Sequence, residues 1–229
     1  LGGGEGGVKV RFGLLGGSFN PVHCGHVRMA LEAREALGLD RVELVCAPSP
    51  PHKPRQGLAP FSDRFALLQS ALSEIPGLKA SDVEAGREGP SYTIDTLEEY
   101  KSRIPGVELH FILGLPSLYD LDHWHEGLRL PEKASLAACP RTGADPARLP
   151  AYVAERWPRA RPVESGVWEF PSGTRLRLLD APALDISGTD ARRRWMDGRS
   201  LRCLVPDAVV AGLEARREVF EEAWRGGSG

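Results

Sequence analysis

Residues 16–26 read Gly16-Gly17-Ser18-Phe19-Asn20-Pro21-Val22-His23-Cys24-Gly25-His26. The run follows residues 8–15 (VKVRFGLL), which read as a β-strand, and leads into a helical pattern over residues 25–37 that stops at Gly38. Glycines after a strand let the backbone approach a ligand closely, and Ser18 adds a hydroxyl donor. The helix behind them presents unsatisfied N–H groups and the positive end of its dipole, a ready anion site. His23 and His26 are three residues apart and share a face of the first turn. Gly25 between them keeps space clear for a bulky anion. Two imidazoles, a hydroxyl and backbone amides aimed at one spot suit a polyphosphate. The competing readings are a structural turn and a zinc site. Zinc needs a third ligand, and no H-E-x-x-H or C-x-x-C accompanies the histidines.

Outward from this run, short apolar stretches alternate with helical patterns. Residues 42–47, 78–83, 107–113, 134–139 and 175–179 read as strands, and residues 61–75 as a helix. Thr93 is placed to cap a helix running through Arg103. Two helices close the chain over residues 187–197 and 206–224, with Pro206 in a first turn and Gly198 as a stop. The alternation predicts an α/β fold: a Rossmann-like, doubly wound, mainly parallel sheet with helices on both faces. Ligands in such sheets bind beyond the strands' carboxyl ends, where strand order reverses. Residues 8–225 are expected to form a single domain whose C-terminal helical part begins near residue 187. The glycine-rich ends, residues 1–7 and 226–229, are expected to be disordered.

Composition bounds the function. The chain has 229 residues, with Lys+Arg 29 against Asp+Glu 31 and a net charge of −2, which argues against an electrostatic nucleic-acid binder. No apolar run has the length of a membrane span, and the LGGGEGG start lacks the layout of a signal peptide. Cys24, Cys46, Cys139 and Cys203 are far apart and read as reduced, mostly buried thiols. A cytoplasmic protein is the simplest expectation.

The opening run resembles the H-x-G-H signature of the nucleotidyltransferase superfamily, and more narrowly that of the bacterial nicotinate-nucleotide adenylyltransferases. Residues 47–54 (APSPPHKP) are similar to that family's P-P-H-K loop, and residues 91–97 (SYTIDTL) to its S-Y-T-x-x-T-L segment. Phe111-Ile112-Leu113-Gly114 with Leu118, Leu121 and Trp124 follow the spacing F-I-x-G-x-D-x-L-x-x-L-x-x-W. Residues 186–192 (ISGTDAR) resemble its I-S-S-T-x-I-R helix start. Only the first block is specific alone; their ordered coincidence is highly specific.

The resemblance implies the nucleotidyltransferase fold and transfer of AMP from ATP to nicotinate mononucleotide, giving deamido-NAD and pyrophosphate by direct in-line attack. By the same resemblance, His23, His26, Ser18 and Arg192 are the catalytic candidates. ATP would be held by Gly16, Gly17, Ser18, Phe19, His23, Gly25, His26, Gly114, Ser187, Thr189 and Arg192. Nicotinate mononucleotide would be held by Gly17, Ser18, Phe19, Lys53, Tyr92, Thr93, Trp124 and His125. Trp124 is expected to stack on the pyridine ring, although by itself it reads as core. Lys53 is either a solvated loop charge or an anion clamp, and Arg193 and Arg194 are either ligand contacts or a solvated basic face. Magnesium would bridge substrate phosphate oxygens, with no carboxylate cage on the protein.

Two positions depart from the family pattern. Pro116 stands where G-x-D carries an aspartate that typically contacts a ribose, with Asp120 or Asp122 as candidate replacements. Gly188 replaces the second serine of I-S-S-T. Nicotinamide mononucleotide as acceptor remains open, as does a non-catalytic nucleotide-binding relative.

Overall fold

A computed structural model describes residues 10–50 and 56–225. Its strands are β1 (Arg11–Gly17), β2 (Arg41–Cys46), β3 (Leu78–Ser81), β4 (Glu108–Gly114), β5 (Ser135–Cys139), β6 (Arg161–Glu164), β7 (Val167–Glu169) and β8 (Arg175–Leu178). They form one sheet in the order β3-β2-β1-β4-β5-β8-β7-β6. The strands from β3 across to β8 run parallel, and β7 and β6 add an antiparallel edge. The chain builds outward from β1 to β2 and β3, then crosses to the other side at β4, so strand order reverses between β1 and β4.

The helices are α1 (Cys24–Leu37), α2 (Phe61–Leu72), α3 (Thr93–Arg103), α4 (Leu115–Tyr119), α5 (Leu149–Arg156), α6 (Gly188–Met196), α7 (Asp207–Ala215) and α8 (Arg217–Arg225). They cover both faces of the sheet because β1 is apolar on both faces. Leu15 joins Val27, Leu68, Trp195, Val209 and Phe220 on one side. Phe12 and Leu14 join Leu97, Leu118 and Val153 on the other. Gly13 permits this close packing, since a Cβ there would come within 2.8 Å of the Leu39 and Val42 side chains.

The strands and helices expected from periodicity are present, with ends shifted by a few residues. Val8 and Lys9 lie outside the described residues, as do Lys53 and the two glycine-rich ends. The helix expected over residues 61–75 ends at Leu72. Thr93 is the first helical residue of α3 and not its cap, because extended Tyr92 already holds the cap position. The helix expected over residues 206–224 is two, broken at Arg216 (φ −126°). The break lets α7 lie along α2 while α8 turns to pack beside α6. Helix α5 and the β6–β7 hairpin add to the expected elements: α5 buries Leu149 and Val153, every residue of β6 is exposed, and β7 has three residues.

Cys46 and Cys139 are buried thiols, but Cys24 is half-buried and Cys203 exposed, so burial holds for two of the four. Among the described residues no helix is long and apolar enough to cross a membrane.

Candidate active site

Beyond the carboxyl ends of β1 and β4, at the reversal of strand order, lies a cavity of about 500 Å³. Gly16, Gly17 and Ser18 reach it from β1, and Gly114 from the end of β4. His23 and His26 enter from the start of α1, and Ser187, Thr189 and Arg192 from the start of α6. Residues more than 160 positions apart in the chain thus line one wall, which no local pattern could report.

His23 occupies the cap position of α1 and is buried. Its ring stacks on His26, with centroids 3.6 Å apart and planes at 25°. The His23 backbone N–H donates to His26 Nδ1 at 3.2 Å. A neutral imidazole that accepts at Nδ1 carries its proton on Nε2, so the fold itself selects the tautomer of His26. Phe19 meets His26 edge-on at 5.0 Å and holds a left-handed φ of 44°. It is buried, lines neither this cavity nor the next, and lies against Gly17, where a Cβ would come 3.1 Å from its ring. Gly25 has a different purpose from the one expected. A Cβ there would stand 3.0 Å from His23 Nδ1, so the His23 ring fills the space that the glycine leaves.

At α6, Ser187 Oγ caps the helix by accepting the Asp190 N–H at 3.0 Å. Arg192 donates from Nη1 to the Asn20 carbonyl at 2.9 Å and from Nη2 to Thr189 Oγ1 at 3.2 Å. Burial pulls the Arg192 pKa down, yet an arginine keeps its charge at neutral pH. Gly188 has a steric reason: a Cβ there would lie 3.1 Å from the Asn20 carbonyl oxygen. Arg193 pairs with Asp190, and Arg194 donates to the Ser200 carbonyl at 3.3 Å. Neither faces the cavity.

A second cavity, of about 320 Å³, adjoins the first and shares Gly16, Gly17, Ser18, Phe111, Ser117 and Trp124 with it. Tyr92, Thr93, Trp124 and His125 line it together. His125 stacks on Tyr92 at 4.2 Å, and Trp124 stands edge-on to Phe111 at 6.3 Å. Because α3 begins at Thr93, its positive end lies at the cavity wall. Pro116, in the first turn of α4, lines neither cavity. Its neighbour Ser117 lines both, and Asp120 lines the second, whereas Asp122 is engaged 2.7 Å from Arg156.

Sequence reasoning missed three residues here. Arg141 lines the first cavity and donates to the Ile186 carbonyl at 3.0 Å; its place two residues past a parallel strand was the available signal. Glu84 is buried in the second cavity wall and accepts from Thr96 Oγ1 at 2.5 Å. Burial raises its pKa, against the lowering effect of hydrogen bonds from Thr96 and Ser91. Nothing in its sequence surroundings marks it. Asn20 ties the site together. Its Nδ2 donates to the Gly57 carbonyl at 2.7 Å, and its Oδ1 accepts from Ala59 N–H at 3.2 Å and from Trp224 Nε1 at 3.0 Å.

Residues 14–194 match the cytidylyltransferase-like family. The chain is 40% identical over 205 residues to the probable nicotinate-nucleotide adenylyltransferase of Trichlorobacter lovleyi, covering 87% of this chain and 94% of that one. It is 41% identical over 205 residues to the probable nicotinate-nucleotide adenylyltransferase of Thermus thermophilus, covering 90% and 97%. The chain belongs to the nicotinate-nucleotide adenylyltransferase family. Its fold is also that of Plasmodium falciparum nicotinic acid mononucleotide adenylyltransferase, solved in complex with NaAD. That likeness has a TM-score of 0.71 and 17% identity, over 91% of this chain and 97% of that one. Within the family, the geometry accounts for Gly188 by its approach to Asn20 and leaves Ser117 as the hydroxyl nearest to Pro116 that faces both cavities.

Proposed function

We propose that this protein transfers AMP from ATP to nicotinate mononucleotide, releasing pyrophosphate and forming deamido-NAD for NAD biosynthesis. The observation that carries the reading is the meeting of two cavities at one glycine-serine wall, Gly16-Gly17-Ser18. A two-substrate phosphoryl transfer needs such a wall, with each substrate's phosphate brought to it from its own side.

The acceptor's phosphate monoester has a second pKa of about 6, so it is largely dianionic at pH 7 and needs no general base. The barrier is the approach of one anion to another. Positioning and fixed donors lower it, without a covalent enzyme intermediate. ATP occupies the first cavity, with its triphosphate along the starts of α1 and α6 and beside Arg192 and Arg141. His26, donating from Nε2, lies nearest the α-phosphate. No aspartate or glutamate lines this cavity among the described residues, a donor set that fits magnesium carried on the phosphates. Bound there, magnesium supplies charge neutralisation of the leaving pyrophosphate.

The acceptor occupies the second cavity, its ring against Trp124 and its carboxylate toward the start of α3. A second reading, transfer to nicotinamide mononucleotide, is favoured by Glu84, whose carboxylate would accept from a carboxamide. Pyrophosphate release with ATP, magnesium and each mononucleotide tests both. Release with the nicotinate form at least tenfold faster, on the order of the discrimination that one mispaired polar group produces, is expected. Preference for the nicotinamide form would assign the second reading, and silence with both would refute the adenylyltransferase.

A further inference from the structure

Arg64, on α2, has no part in the mechanism above, yet among the described residues it is the largest side chain fully buried, at 1% exposure. Its Nε donates to the Ala59 carbonyl at 2.8 Å. Its Nη1 donates to the carbonyls of Ser18 at 2.5 Å and Ala47 at 2.9 Å, and its Nη2 reaches that of Pro48 at 3.4 Å. These carbonyls belong to the ends of β1 and β2 and to the loop before α2, so one planar fork holds three separate segments in register. Nη1 also lies 3.4 Å from Cys46 Sγ. Burial pushes that thiol's pKa up to about 11, so it is neutral at physiological pH.

Among the described residues, every group that accepts a hydrogen bond from Arg64 is therefore uncharged. A buried guanidinium with no anionic partner is costly and would ordinarily be replaced by an apolar side chain or matched with a carboxylate. It can persist where an anion arrives from outside to complete the pair. The Ser18 carbonyl supplies the direction. In a planar trans peptide the C=O and the following N–H point oppositely. With the Ser18 carbonyl turned inward to Arg64, the Phe19 N–H of the same peptide points away from it, and Ser18 itself lines both cavities.

We infer that Arg64 is a positioning residue for the two-substrate wall: its fork fixes the Gly16-Gly17-Ser18 backbone, and its unmatched positive charge draws phosphate groups to the opposite side. The inference rests on the reading that phosphates meet at this wall, and the experiment separates the two.

The experiment measures binding of AMP, ADP and ATP, each with magnesium, to the purified full chain by calorimetry, for wild type, Arg64→Met and Arg64→Lys. Absence of ATP binding to wild type would sink the functional reading itself. With wild-type binding in hand, Arg64→Met should weaken ATP on the order of tenfold and AMP clearly less, because the lost attraction scales with ligand charge. Arg64→Lys keeps the charge without the fork and should retain the preference for ATP over AMP. Equal losses for AMP, ADP and ATP in Arg64→Met, or none, would overturn the inference, because deformation of the wall alone does not discriminate by charge. If Arg64→Met fails to fold, Arg64→Gln, which also removes the charge but keeps an amide donor, takes its place: a larger loss for ATP than for AMP supports the inference, and equal losses or none overturn it.

Discussion

His26 shows how much of this site is decided by single atoms. Its Nδ1 is occupied by the His23 N–H, so the ring donates from Nε2 without first gaining a proton. His26→Ala is expected to lower turnover by about 10²–10³, the cost of one preorganised transition-state donor, while ATP binding is mostly kept. A loss under about threefold in steady-state kinetics would contradict the role. Glu84 gives a second prediction, in pH. Its folded pKa is raised from 4.5, chiefly by burial, so its contribution to stability is fully present below that value and is lost as pH rises through the folded pKa. Glu84→Gln cannot ionise. Its melting temperature relative to wild type should therefore rise with pH from about 4 to 7. A difference independent of pH would mean that Glu84 is ionised as easily in the fold as out of it.

At the scale of elements, the site depends on the helix farthest from it in sequence. Trp224 on α8 donates to Asn20 Oδ1 at 3.0 Å, and Asn20 in turn grips Gly57 and Ala59 of the loop beside the first cavity. Trp224→Phe removes the donor and keeps most of the apolar bulk. It should cost about 1 kcal/mol, since Asn20 Oδ1 still accepts from Ala59, and should raise the Michaelis constant for ATP more than it changes turnover. Denaturant unfolding and steady-state kinetics check the two halves of that statement. Elements also mark the limit of periodicity. The helical pattern over residues 206–224 carries no sign of the break at Arg216, because both halves are amphipathic. What breaks the helix is the need for α7 to follow α2 while α8 packs beside α6.

Across the whole molecule, a net charge of −2 gives no average field that would attract ATP. On the proposed reading, attraction comes from local arrangement: Arg192 and Arg141 and the starts of α1 and α6 around a cavity that no carboxylate lines among the described residues. Raising ionic strength from about 0.05 to 0.5 M should therefore weaken ATP binding severalfold, despite the acidic chain, because screening acts over about a Debye length. A dissociation constant that ignores salt would refute a cation-lined site. The doubly wound sheet was legible because strand and helix periods differ and because a parallel strand buried on both faces reads as a continuous apolar run.

By itself the sequence determined the sheet's class, the strand-turn-helix run that opens it and the family, because each is written in residues adjacent along the chain. The dense run from Gly16 to His26 is such a case. Only the tertiary structure decided that Gly25 makes room for a histidine ring, that Ser117 and not Pro116 faces the cavities, and that Arg141 and Glu84 belong to the site. It also decided that Arg64, unremarkable in its helix, lies behind the Ser18 carbonyl. The physical reason is the same in each case. A side chain's burial, partners and charge state are set by neighbours from distant segments, and those neighbours exist only once the chain has folded.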